Sequence, residues 1–163
     1  MKELLILRHA KSSWKNSELA DHDRPLNKRG KREALHIGKV LQKEDLVPDL
    51  VLSSTAVRAR DTVQAVIQEC SFDGEVDYSR ELYQADVDVI IDLLTRLDEN
   101  VNRVLVIGHN PELEELLQLL TRSYEPLGTA TLARVRLPVA SWSALCDDIR
   151  GELTGLWRGR ESD

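Results

Sequence analysis

Cysteine is scarce in this chain: Cys70 and Cys146 stand apart, with no second cysteine or histidine at metal-ligand spacing. That excludes a disulfide framework or a Cys/His zinc site, and both thiols are expected to be buried and apolar. Glycine is thin as well. Its eight occurrences never fall into a Gly-x-Gly-x-x-Gly or Walker-type loop, so a nucleotide fold of either kind has no support. No apolar run is long enough to cross a bilayer. Positive charge is in deficit, with 22 Lys and Arg against 28 Asp and Glu and a net charge of −6. Such a balance opposes general affinity for nucleic acid. The first apolar run begins almost at Met1, leaving no room for a signal segment before it, so the cytoplasm is the expected compartment. No His/Cys/Asp cluster has metal-ligand spacing, and neither metal nor cofactor is expected.

The 163 residues are expected to form one domain, residues 1–163, without internal repeat or linker. A chain of this length buries roughly 68–70% of the surface its unfolded form exposes. Leu4-Leu5-Ile6-Leu7 reads as a short strand buried on both faces, as do Asp49 to Ser53 and Arg103 to Ile107. Helical spacing of Ala34, Leu35, Ile37, Gly38 and Leu41 predicts a helix from an Asn27 cap to about Lys43. Ser54 or Thr55 is expected to cap a second helix, with Ala59, Val63, Val66, Ile67 and Cys70 as its inner stripe. Asp86 is expected to cap a third. Asn110 and Pro111 read as the N-cap and first residue of a fourth, whose stripe is Leu113, Leu116, Leu117 and Leu120. Glu75 to Tyr78 reads as a short edge strand, Thr131 to Leu137 alternates weakly, and Glu152 to Trp157 can pair antiparallel. Arg158 to Asp163 are expected to fray. This alternation predicts an α/β fold: three layers, α/β/α, with a mostly parallel central sheet and an antiparallel C-terminal edge.

In such sheets ligands bind outside the carboxyl ends of the strands, where strand order reverses. Arg8 and His9 follow the first strand, His109 follows another, and Arg58 opens the helix after a third. If those strands are neighbours, two guanidiniums and two imidazoles converge with helix N-termini at one crevice, and that combination suits a phosphate. His22 and His36 have no partner in view and read as surface or capping residues. Lys28-Arg29-Gly30-Lys31-Arg32 opens an amphipathic helix and reads as its solvated face.

Phosphoryl transfer spreads negative charge over three oxygens, so catalysis is largely positioning and electrostatic stabilisation. Arginine binds two oxygens at once and keeps its charge. A neutral imidazole can attack phosphorus and give a phosphohistidine that water then cleaves. Position alone leaves open which histidine attacks and which donates.

Four segments in order resemble the histidine phosphatase superfamily: Leu7-Arg8-His9-Ala10, Arg24-Pro25-Leu26-Asn27-Lys28-Arg29-Gly30, Ser53 through Thr62, and Val106-Ile107-Gly108-His109-Asn110. The resemblance implies a phosphoglycerate mutase-like fold. It also implies His9 as nucleophile, Arg8 and Arg58 as phosphoryl holders, and His109 as a donor to the transition state. The short chain, Arg-His-Ala and the Gly-His-Asn-Pro-Glu run look most like the SixA-like phosphohistidine phosphatases. The substrate implied is phosphohistidine on a phosphotransfer protein. A phosphatase of small phosphomonoesters and a non-catalytic phosphoprotein-binding module are the alternatives; a mutase would need a cap for which few residues are left.

Two departures from the larger relatives accompany that placement. Lys15 stands where many carry a phosphate-contacting asparagine. Leu82-Tyr83-Gln84 puts an amide where they carry a glutamate acid. An alkoxide needs a proton donor, whose loss typically costs about 10²–10⁴ in rate, whereas a protonated imidazole leaves easily. Glu81 and Asp86 are the carboxylates expected to be able to reach a leaving group.

Overall fold

Strand side chains alternate across a sheet, and here both faces are apolar, so each central strand serves two cores. In the computed structural model, which describes residues 1–159, β1 (Lys2–Arg8) sends Leu4 and Ile6 to one face and Leu5 and Leu7 to the other. β2 (Leu50–Ser54) and β4 (Arg103–Gly108) behave likewise. With β3 (Glu75–Ser79), β5 (Thr131–Leu137) and β6 (Glu152–Arg158) they form one sheet, ordered β3-β2-β4-β1-β5-β6. The first four strands of that order are parallel; β5 and β6 pair antiparallel at the C-terminal side.

Helices α1 (Lys28–Lys43) and α2 (Val57–Glu69) pack Ile37, Leu41, Val63 and Val66 on one face. α3 (Val87–Thr95) and α4 (Glu112–Thr121) pack Ile90, Leu94, Leu113 and Leu117 on the other. The three expected layers are therefore present. β1 runs on to α1 and β4 runs on to α4, so the chain leaves these adjacent strands towards opposite faces. The crevice this opens at their carboxyl ends is the ligand position of open α/β sheets.

Asn27 caps α1, its Oδ1 accepting from the Gly30 N–H at 2.8 Å, and Asp86 caps α3 through the Val89 N–H at 3.1 Å. Two other caps differ from expectation. Ala56 holds the N-cap position of α2, because Ser54 Oγ accepts from the Ala56 N–H one step earlier and Thr55 faces His22. α4 starts at Glu112 with Pro111 as its N-cap residue, across a cis Asn110–Pro111 bond. Asn110 does not cap: its Nδ2 donates to the Leu127 carbonyl at 2.7 Å, and its Oδ1, the atom a cap would use, accepts from no group within the protein.

Cys70 is buried as expected, but Cys146 is exposed, lying in the loop beyond the Trp142–Ala144 turn. Arg158 is not frayed: it closes β6, and the Gly159 N–H donates to Ala130 O at 2.8 Å. The rest of the expected frayed tail, residues 160–163, lies outside the described residues. Lys28, Arg29, Lys31 and Arg32 are exposed, and Arg29 pairs with Glu33 on the next turn. Among the described residues no helix is long and apolar enough to cross a membrane.

Candidate active site

The three parallel strands that end at the crevice bring all four expected groups together. Arg8 and Gly108 are register partners, and the His9 N–H continues the ladder to Gly108 O at 3.1 Å. His9 and His109 therefore stand side by side, ring centroids 5.1 Å apart. Arg58 arrives from the first turn of α2. Its position is tied to the His9 loop through Thr62, whose hydroxyl donates to Arg58 O at 2.7 Å and accepts from the Ala10 N–H at 3.0 Å. Both histidines and Arg58 are buried. They line a cleft of about 360 Å³ with Arg8, Lys11, Ser12, Trp14, Asp21, Arg24, Asn110 and Thr129.

The His9 loop is pinned from below. Asn27 donates its N–H to Lys11 O at 3.0 Å, Ser13 donates to Pro25 O at 2.8 Å, and Ser12 bridges Leu26. Gly30 lies so close to the Lys11 carbonyl that a Cβ there would overlap it. The absence of a side chain at Gly30 thus lets α1 approach the loop that carries the histidine.

His9 Nδ1 lies 2.7 Å from Ala10 O. A carbonyl only accepts, so Nδ1 carries the proton and Nε2 keeps its lone pair. Burial, followed by the charges of Arg58, Arg8 and Arg24, lowers the His9 pKa to about 4. Burial and then the neighbouring His9 and Arg58 lower that of His109 to about 3. Both rings are neutral at pH 7. His109 Nε2 meets Ser54 Oγ at 2.8 Å, while its Nδ1 has no hydrogen-bond partner within the protein. Arg8 donates Nη1 to Leu127 O at 3.1 Å, and its buried Nε is likewise unpartnered.

Lowered histidine pKa values have a definite sign. The unfolded chain takes up protons near pH 6.5 and the folded one does so only near 4 and 3, so the stability tied to these rings is complete above about pH 6.5 and is lost as pH falls to those values. For activity, kcat/KM corrected for substrate ionisation should stay level to about pH 5 and bend near pH 4. At pH 5 about 90% of His9 is then unprotonated, against about 3% for an unperturbed imidazole, a difference of roughly 30-fold. An acid limb at pH 6.5 would contradict the burial argument.

Several site residues escaped the sequence reading. Asp21 joins the arginines: its Oδ1 accepts from Arg24 Nη1 at 2.9 Å, its Oδ2 from Arg58 Nη2 at 3.0 Å, and its carbonyl from Arg58 Nη1 at 2.7 Å. Tyr83 donates its hydroxyl to the same Oδ2 at 2.7 Å. These contacts, Tyr83 first and then Arg58 and Arg24, hold the Asp21 carboxyl at about 2. Arg24, also buried, donates Nε to Ser13 O at 3.2 Å and bonds Ser12 Oγ through Nη2. His22 is not partnerless: its Nε2 lies 2.9 Å from Thr55 Oγ1, and its ring meets Tyr83 edge-on at 4.8 Å. His36 is a half-buried residue of α1.

Glu81 and Asp86 do not line the cleft. Glu81 faces Arg96 at 3.9 Å, and Asp86 is spent on capping α3. Gln84 is exposed, with φ 59°. Among the described residues lining the cleft, Asp21 is the one carboxylate, and it is ionised.

The chain matches the family model described as Histidine phosphatase superfamily (branch 1) over residues 4–90. It is 40% identical over 114 residues to an uncharacterized protein of Mycobacterium tuberculosis (strain CDC 1551 / Oshkosh), spanning 70% of this chain and 69% of that protein. With an uncharacterized protein of Mycobacterium leprae (strain TN) the identity is 31% over 158 residues, 95% and 92% of the two chains. Among solved structures, one from Agrobacterium tumefaciens, provisionally named phosphohistidine phosphatase SixA, is 30% identical with a TM-score of 0.79 over 96% of this chain and 97% of that one. The protein histidine phosphatase SixA complexed with tungstate shares the fold at a TM-score of 0.83 and 24% identity, over 96% and 97%. The matched residues 4–90 span more than half of the chain and include His9 with Arg8, Arg24 and Arg58 of the crevice; the chain belongs to the histidine phosphatase superfamily.

Proposed function

We propose that this phosphatase removes phosphate from phosphohistidine on a partner protein, through a phosphohistidine formed at His9. The observation that carries the substrate class is the state of Asp21: the cleft's carboxylate is ionised and therefore has no proton to give to a leaving group. A protonated substrate imidazole needs none. His9 Nε2 attacks phosphorus, the P–N bond to the substrate breaks, and the electron pair leaves on a ring that becomes neutral imidazole. Arg8 and Arg58 hold the phosphoryl oxygens, and His109 donates to them in the transition state. Because the Ala10 carbonyl keeps the proton on His9 Nδ1, phospho-His9 is itself a protonated N-phosphoimidazole. Water then attacks phosphorus, its proton passes to the released phosphate, and His9 returns neutral.

The chemistry predicts a substrate order. A phosphohistidine peptide should be hydrolysed at least about 10²-fold faster than a simple alkyl phosphate, the lower end of what general-acid catalysis contributes. Equal kcat/KM for the two compounds would reject the phosphohistidine assignment and leave a phosphatase of small phosphomonoesters.

A further inference from the structure

We infer that Trp14 is a recognition platform, stacking its free face on the imidazole ring of the substrate; the inference rests on the phosphohistidine reading. Trp14 is 73% exposed, yet it lines the same cleft as His9, whose residue is only 7% exposed. One belongs to the rim and the other to the floor. In an in-line displacement the leaving nitrogen lies across phosphorus from the attacking one, so a ring leaving from a phosphate attacked by His9 emerges towards the rim.

The indole is held there rather than loose. The Arg24 guanidinium carbon lies 3.2 Å from the ring centroid, and Arg24 is itself buried and fixed by Asp21, Ser12 and Ser13. With arginine on one face, the other face is the exposed one. A large aromatic side chain fixed in advance at a cleft mouth loses little freedom on binding, which is the property of an anchor residue. Flat imidazole offers it a stacking partner, and such pairs are worth roughly two- to tenfold in affinity.

A cover for Arg24 alone would treat every phosphoryl compound alike, so the test compares two phosphoramidates, one with a ring and one without. The ratio of kcat/KM for a phosphohistidine peptide to that for the matching phospholysine peptide should fall about fivefold in Trp14→Leu, through KM. In Trp14→Phe it should stay within about twofold of the wild type. A ratio that survives Trp14→Leu would overturn the stacking role alone. A wild type that never preferred phosphohistidine would overturn the substrate reading and the platform with it.

Discussion

His9→Asn should lower turnover of any phosphorylated substrate by about 10⁴-fold or more, the scale seen when a covalent nucleophile is removed. Asparagine has no nitrogen lone pair to offer phosphorus, and its amide cannot reproduce the arrangement in which Nδ1 donates to Ala10 O while Nε2 remains bare. The fold should survive. The His9 N–H still donates to Gly108 O, and the loop stays pinned by the backbone bonds from Asn27 and Ser13. Steady-state kinetics together with a thermal melt therefore separate chemistry from folding. Loss of activity with an intact melting transition is the expected pair of results. Activity within tenfold of wild type would remove His9 from the reaction.

Arg58→Lys should cost about 10²–10³ in kcat/KM, the range for losing one preorganised donor at a developing anion. The charge is conserved but the fork is not. Arg58 divides its guanidinium between anchoring and function: Nη1 and Nη2 hold the Asp21 carbonyl and carboxylate at 2.7 and 3.0 Å, while the group still lines the cleft. A lysine ammonium can satisfy Asp21 or approach a phosphoryl oxygen, but it lacks the planar geometry that does both. The loss should appear in kcat as well as KM, because charge accumulates on the phosphoryl oxygens in the transition state. An effect confined to KM and smaller than tenfold would mean that Arg58 serves only to fix Asp21.

The layered fold was legible because buried strands announce themselves as short continuous apolar runs and amphipathic helices by their period. Leu4 to Leu7, Val104 to Ile107 and the α4 stripe needed no tertiary information. The position of Arg8, His9, Arg58 and His109 followed from a topological rule applied to those elements, and adjacent β1, β4 and β2 bring the four into one cleft. Asp21 and Arg24 were not legible in the same way. They lie between β1 and α1, where apart from the short Asp21–Asp23 turn no periodic pattern orients a side chain. Length was the available signal, since a βα connection of that size is usually functional.

The other misses have local causes. Thr55 and Asn110 look like caps because capping depends on neighbours close in sequence, but Thr55 Oγ1 pairs with His22 and the Asn110 amide turns to the Leu127 carbonyl, leaving its Oδ1 without a partner. Tyr83 could not be placed because its partner Asp21 is 62 residues away. Gln84 stands where larger members of the superfamily carry an acid, yet it is exposed and away from the cleft lining. The ionised Asp21, which no sequence pattern marked, is the residue that now carries the substrate argument.

The mechanism turns on which nitrogen takes the phosphoryl group. Phosphorus-31 NMR of the enzyme quenched during turnover of a phosphohistidine peptide, joined to peptide mapping, reads this directly. The proton held on His9 Nδ1 by Ala10 O requires a single phosphorylated form of the enzyme, Nε2-phosphohistidine at His9. Phosphate on Nδ1, on His109, or on no residue of the enzyme during turnover would contradict it.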